Sequence, residues 1–130
     1  MVILPISLIS IIAIFIVLLI LAISYFKKVP MTLAIILANL FVFMLSLVYT
    51  QDIINDLGFR PIYLSFDFLP QIYTLFTSMF VHGGFGHILS NMIVLFFMGL
   101  AFEHRVGSKK FLLIYILTGF SAAIFYSLFK

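Results

Sequence analysis

The composition of this chain excludes a soluble protein. Of its 130 residues, 65% are hydrophobic and 8% are charged, with seven Lys and Arg, four Asp and Glu and a formal net charge of +3. Ordinary soluble domains carry about 25% charged residues, so a disordered or nucleic-acid-binding protein is excluded as well. The sequence contains no Cys, which excludes a disulfide framework, a thiolate zinc site and a Cys nucleophile. We therefore expect an integral membrane protein.

Four apolar runs are long enough to cross a bilayer as helices. They extend over residues 2–26, 31–49, 88–102 and 111–129. A spanning helix needs about 20 residues, which the third run reaches if it includes His87 or Glu103. The first run could be a signal peptide, but its apolar stretch is long, it has no basic start and Lys27-Lys28 follow it, so we favour a retained helix. The pattern predicts an all-α membrane protein, a helical bundle with four transmembrane helices.

Basic residues are concentrated in two of the three connections between these runs. They are Lys27, Lys28, Arg105, Lys109 and Lys110. Because Lys and Arg accumulate in cytoplasmic loops, these two connections are predicted to be cytoplasmic. The third connection, residues 50–86, contains three of the four acidic residues of the chain and is predicted to lie outside.

The outer connection is unusually long for a loop without structure. Its apolar and aromatic residues include Phe59, Tyr63, Phe66, Phe68, Ile72, Tyr73, Leu75 and Phe76. Aromatic side chains with one polar edge settle at the membrane surface. We expect short helices that lie in the membrane interface.

Two polar residues stand at the start of the third run. His87 and Asn91 are four residues apart and should share one helix face, where two donors could hold a developing oxyanion. Hydrogen bonding to a neighbouring helix is the alternative, and spacing alone favours it. A metal site on His82 and His87 lacks a nearby carboxylate, so we expect neither a metal nor a cofactor.

Three segments resemble the rhomboid family of intramembrane serine proteases. They are residues 73–82, residues 87–91 and residues 99–108, the last containing the Glu-x-Arg and Gly-Ser patterns. The resemblance covers residues 31–130 and implies the amino-terminal part only of the family's fold, with core helices one to three. It implies an extra amino-terminal helix in residues 1–28 and a partial rhomboid domain in residues 29–130, with its long outer loop at residues 50–86.

The resemblance also implies roles for individual residues. His87 and Asn91 match the family's oxyanion-hole pair, which stabilises the tetrahedral intermediate together with a backbone N–H. The residues that match structural positions of the family are His82, Glu103, Arg105 and Gly107. Glu103 and Arg105 are expected to brace helix ends on the cytoplasmic side.

The family's Ser nucleophile and His base have no counterpart in this sequence. No Gly-x-Ser-Gly motif occurs, and the nearest string, residues 119–122, has no His after it. Gly119, Ser121, Ala122 and Ala123 are interpreted as marks of close helix packing. We expect a truncated, amino-terminal portion of a serine endopeptidase, contributing the oxyanion hole and the outer loop to hydrolysis of membrane-embedded substrates, and inactive on its own.

A second function of another class is compatible with the same residues. The chain would then be a non-catalytic rhomboid-like module that binds transmembrane segments. In either case the expected partners are the lipid bilayer and, once the missing helices are supplied, transmembrane protein substrates, with no nucleic acid. The expected location is the plasma membrane of a prokaryote.

Overall fold

Helices form all the regular structure in the part of the chain that the computed structural model describes, residues 6–64 and 71–129. The helices are α1 (Leu8–Lys27), α2 (Met31–Val48), α3 (Thr50–Leu57), α4 (Thr74–Thr77), α5 (Phe85–Val106) and α6 (Ser108–Leu128). Short 3₁₀ turns occupy Pro61–Leu64 and Ser78–Phe80, and a π-helical segment, Leu95–Gly99, lies within α5.

Four of these helices are long and apolar enough to cross a membrane. They are α1, α2, α5 and α6, with 20, 18, 22 and 21 residues. The third span is longer than its apolar run because it includes His87 and Glu103. The predicted all-α fold with four transmembrane helices is confirmed, and the chain is a multi-pass integral membrane protein.

The ends of α1 and α2 follow local sequence signals. The hydroxyl of Ser7 accepts a hydrogen bond from the Ser10 backbone N–H at 3.3 Å and caps the start of α1. Lys28 ends α1 in the left-handed region at φ 57°, a position that more often holds Gly. Pro30 precedes α2, where its fixed φ suits the beginning of a helix.

The buried core lies between α1, α2 and α3. Ala13 and Val17 of α1 belong to it together with Ala38 of α2, and the small alanine side chains allow the two helices to approach closely. Ile53 of α3 closes one end of this core. By contrast Phe111 is the buried residue of α6, so most of the apolar surface of α6 is available to lipid.

The two ends of the bundle differ in charge. Asp56 accepts a hydrogen bond from the Ser7 backbone N–H at 3.0 Å, which places α3 beside the start of α1. At the opposite end, Glu103 binds the start of α2, so the α1–α2 and α5–α6 connections are neighbours. The structure therefore gathers both basic connections at one end, whereas their position on the cytoplasmic side stays a prediction.

Membrane sidedness can be measured with single cysteines, because the chain has none of its own. Gln51 and Lys109 are both exposed and lie at opposite ends of the bundle. We expect a membrane-impermeant maleimide to label Gln51→Cys in intact cells and Lys109→Cys only after permeabilisation. Equal labelling of both variants in intact cells would contradict the predicted orientation.

In its described part, the outer connection is folded into short helices, as predicted. Tyr73 donates its hydroxyl hydrogen to the Asp56 carbonyl at 2.8 Å, and Thr77 does the same to the Leu57 carbonyl at 2.8 Å. These bonds fasten α4 to α3, and α4 also contacts α6. Two of the predicted interface aromatics, Phe66 and Phe68, lie outside the described residues. Placement of this connection in the membrane interface stays a prediction.

Candidate functional site

Three polar side chains meet where the outer connection enters α5. His87 and Asn91 lie one helical turn apart on α5 and are both exposed, whereas Ile88 between them is buried. His82 precedes the helix and is only 8% exposed. We call His82, His87 and Asn91 the polar cluster.

Distances within the polar cluster define its hydrogen bonding. The amide nitrogen of Asn91 is 3.3 Å from Nε2 of His82. Because an amide nitrogen can only donate, this contact is a hydrogen bond in the neutral tautomer of His82 whose Nε2 carries no proton. The ring centroids of His82 and His87 are 5.0 Å apart in an edge-to-face arrangement. His82 therefore supports both exposed members of the cluster.

The electrostatics of His82 favour the same neutral form. Burial lowers the pKa of its imidazole below the ordinary value, and the nearby His87 acts in the same direction. The Phe80 backbone raises the pKa, but by less than burial lowers it. A neutral His82 can continue to accept a hydrogen bond from Asn91 near neutral pH.

This geometry leaves two donors for a ligand. The Asn91 amide has a second N–H beyond the one directed at His82, and the His87 ring is exposed beside it. Two adjacent donors on one helix face can stabilise a negatively charged oxygen. The side chains of His87 and Asn91 are both exposed and therefore accessible to a ligand.

The hydroxyl groups of Ser90 and Ser121 are both bonded to backbone carbonyls of their own helices. Ser90 donates to the His87 carbonyl at 3.1 Å, and Ser121 donates to the Leu117 carbonyl at 2.8 Å. The sequence has no His after His104. Within the described part of the chain, the two exposed members of the polar cluster thus present hydrogen-bond donors, and Ser90 and Ser121 bond to backbone carbonyls rather than to an imidazole.

Gly119 makes a close packing contact, in agreement with the sequence interpretation. A Cβ atom at this position would lie 2.4 Å from the methyl carbon and 2.6 Å from the sulfur of Met79. Met79 belongs to the outer connection, so the contact docks that connection onto α6. Ser121 and Ala122 are exposed instead, and close packing at these two positions stays a prediction.

Enlarging residue 119 should loosen this docking. We expect Gly119→Val to lower the free energy of unfolding by about 1–3 kcal/mol because Met79 must move. Adding Met79→Ala should restore part of the loss, since residues in contact couple energetically. Gly86→Ala is the control, because nothing lies within 4 Å of a Cβ there. Thermal unfolding in detergent is measured for the unaltered protein, the two single variants, the double variant and the Gly86→Ala control. Additive effects of Gly119→Val and Met79→Ala would contradict the contact.

The far end of α5 carries a buried carboxylate. Glu103 is 5% exposed and accepts from the Thr32 backbone N–H at 2.8 Å, the Thr32 hydroxyl at 2.7 Å and the Ser108 hydroxyl at 2.6 Å. It also accepts from the Met31 backbone N–H. These groups include two of the otherwise unpaired amides at the start of α2. Glu103 thus caps α2 and ties it to α5 and α6.

The neighbouring predicted residues have different surroundings. Arg105 is exposed and is not among the four groups that Glu103 binds. Gly107 joins α5 to α6 at φ 88°, a conformation that side-chain-bearing residues rarely adopt. The structure therefore gives Glu103 and Gly107 clear local tasks and shows Arg105 at the surface.

Sequence reasoning missed the partners of these residues. Thr32 sits in an apolar run and gave no sign of binding Glu103, 71 residues away. Asn39 is fully buried in α2, and its amide donates to the Ile35 carbonyl at 2.8 Å. A polar residue within a membrane span is itself a signal of a special role, and that signal could have identified Asn39.

Comparison with known proteins yields one family. The profile of the Rhomboid domain matches residues 69–130, a segment that contains every candidate site residue. RHOMBOID-like protein 1 of Arabidopsis thaliana is 36% identical over 60 residues, 46% of this chain and 15% of that protein. RHOMBOID-like protein 12, mitochondrial, of the same organism is 31% identical over 96 residues, 72% of this chain and 27% of the relative.

The similarity covers a limited part of each relative. RHOMBOID-like protein 2 of Arabidopsis thaliana is 37% identical over 59 residues, 45% of this chain and 19% of its own length. The chain thus spans between 15% and 27% of the length of these three relatives. No solved structure matches it. The domain profile and the relatives together show that this chain belongs to the rhomboid family of membrane proteins.

Proposed function

We propose that residues 1–130 form the amino-terminal part of an intramembrane serine endopeptidase. In this proposal His87 and Asn91 donate hydrogen bonds to the oxyanion that forms when a peptide carbonyl is attacked. The Ser nucleophile and the His base come from residues outside this sequence. Substrates are membrane-embedded proteins, and the outer connection shapes their access.

The arrangement of the polar cluster is the observation that carries this proposal. An exposed imidazole and an exposed carboxamide, one turn apart, are expensive on a membrane-facing helix unless they serve a function. The 3.3 Å contact between Asn91 and the buried His82 fixes the carboxamide before any substrate arrives. Such preorganised donors are what oxyanion stabilisation requires.

We also propose a division of the chain into two parts. Residues 1–28 are an extra amino-terminal transmembrane helix, and residues 29–130 are a partial rhomboid domain. The capping of α2 by Glu103 supports the second unit, because it links the first and last helices of that unit. Location in a prokaryotic plasma membrane stays a prediction, since the relatives above are plant proteins and one is named as mitochondrial.

A chimera tests the function. Residues 1–130 are joined to the helices that carry Gly-x-Ser-Gly and the His base in an active rhomboid protease; we call this protein the completed chimera. We expect it to cleave a test transmembrane substrate and to lose cleavage when the nucleophilic Ser is replaced by Ala. A chimera that is folded and binds the substrate segment without cleaving it would favour the alternative, a non-catalytic module that binds transmembrane segments.

The isolated chain is expected to be inert. No serine of the chain stands in a Gly-x-Ser-Gly motif with a His base after it. Ser121 is hydrogen-bonded within its own helix. Incubation with a fluorophosphonate probe should give no labelling above that of a heat-denatured sample. Labelling that disappears in Ser121→Ala would contradict the proposal.

A further inference from the structure

A polar recess opens at the basic end of the bundle. It has a volume of about 370 Å³ and lies between the α1–α2 connection and the α5–α6 turn. Lys28 and Pro30 line one side, and His104, Gly107 and Ser108 line the other. The recess is far from the polar cluster, which lies at the opposite end of α5.

Positive charge predominates around this recess, where the Glu103 carboxylate is the one acidic side chain among the lining residues. The exposed basic and imidazole side chains of this end are Lys27, Lys28, His104, Arg105, Lys109 and Lys110. Glu103 also lines the recess, but its two oxygens already accept hydrogen bonds from α2 and from Ser108. The first amides of α6, which begins at Ser108, add positive potential. An anionic group is the complementary ligand.

An apolar groove adjoins the same connection. It has a volume of about 230 Å³ between α1 and α2 and is lined by Ile20, Ile23, Ser24, Val29, Leu33, Ala34 and Leu37. Lys28 and Pro30 line the recess while Val29 between them lines the groove. Lys28 and Pro30 therefore face the recess, whereas Val29 between them faces an apolar surface that could accept a hydrocarbon chain.

We propose that this end binds one acidic phospholipid, with its phosphate in the recess against Lys28 and an acyl chain in the groove. The excess of basic side chains over the one carboxylate favours a lipid with net negative charge over a zwitterionic one. The groove can accept an acyl chain, and the recess lies at the ends of spanning helices. Both features favour a lipid over free phosphate as the ligand. The inference rests on the four-span fold and is independent of the proposed proteolytic function.

Native mass spectrometry of the full chain in detergent tests the site. Phosphatidylglycerol and phosphatidylcholine with identical acyl chains are titrated separately, and inorganic phosphate is added in excess as a competitor. We expect the protein to retain bound phosphatidylglycerol and to bind phosphatidylcholine more weakly. Inorganic phosphate should displace little of the bound phosphatidylglycerol. Lys28→Gln should weaken phosphatidylglycerol binding about fivefold, as for one Lys near an anionic headgroup.

Matched variants separate a site from general surface charge. Lys27→Gln removes the same charge one residue away, outside the recess, and should change binding less than twofold. Lys28→Arg should retain binding, and unfolding temperatures of all variants should agree. Equal losses in Lys27→Gln and Lys28→Gln, or equal binding of both lipids, would overturn the proposal. Complete displacement of phosphatidylglycerol by inorganic phosphate would contradict the proposal that a lipid occupies the site.

Discussion

Replacing Asn91 with alanine should lower the cleavage rate of the completed chimera by about 10²–10³-fold, the usual cost of losing one oxyanion donor. The side chain is exposed, but its amide contacts Nε2 of the buried His82 at 3.3 Å, so its removal should also lower the free energy of unfolding by about 1 kcal/mol. Single-turnover rates and thermal unfolding are measured on the same reconstituted preparation. His87→Ala should show a similar loss of rate.

Controls distinguish this role from helix packing. Ser90→Ala removes a hydroxyl from the same turn of α5 that donates to the His87 carbonyl, and it should leave the rate within about twofold of the unaltered chimera, given its exposed position. If Asn91 were only a packing contact, its loss would reduce stability and leave turnover per folded molecule unchanged. That result in well-folded Asn91→Ala protein would rule out the oxyanion assignment.

Replacing Glu103 with alanine should destabilise the bundle by about 3 kcal/mol or more. The change leaves two buried backbone amides of α2 and the hydroxyls of Thr32 and Ser108 without their acceptor, and each unsatisfied buried group costs about 1–3 kcal/mol. Some of these groups will find other partners, so the costs do not simply add. Denaturant or thermal unfolding in detergent measures the loss.

Two further substitutions test the assignment to Glu103. Glu103→Gln keeps the volume and one acceptor oxygen, so about half of the destabilisation is expected from the lost acceptor capacity. Arg105→Gln alters an exposed residue two positions away and should change the free energy of unfolding by less than about 0.5 kcal/mol. Comparable losses in Glu103→Ala and Arg105→Gln would contradict the role of Glu103 as the cap of α2.

The spanning helices were predictable because their signal is local. The helices at residues 8–27, 31–48 and 108–128 follow from runs of apolar residues that are long enough to cross a bilayer. Lys, Pro or Gly residues mark boundaries of these runs. The third helix begins earlier and ends later than its apolar run, and at its end Glu103 satisfies its carboxylate through hydrogen bonds within the fold. Hydropathy alone carries no information about such partners.

The candidate site was predictable only in part. The i, i+4 spacing of His87 and Asn91 placed them on one face, as the structure shows. The contact of Asn91 with His82, nine residues away, depends on how the chain turns before α5. The binding of Glu103 to Thr32 depends on the packing of two helices that are distant in sequence. Long-range contacts of this kind have no periodic pattern from which to predict them.

The most direct test of the oxyanion assignment is a structure of the completed chimera after reaction with a fluorophosphonate. The phosphoryl oxygen of the adduct occupies the position of the oxyanion on the attacked carbonyl. We predict that the Asn91 amide nitrogen and a His87 ring nitrogen lie about 2.7–3.1 Å from that oxygen, with Asn91 still held by His82. An adduct whose oxygen is bound by backbone amides alone, with His87 and Asn91 turned away, would contradict the account.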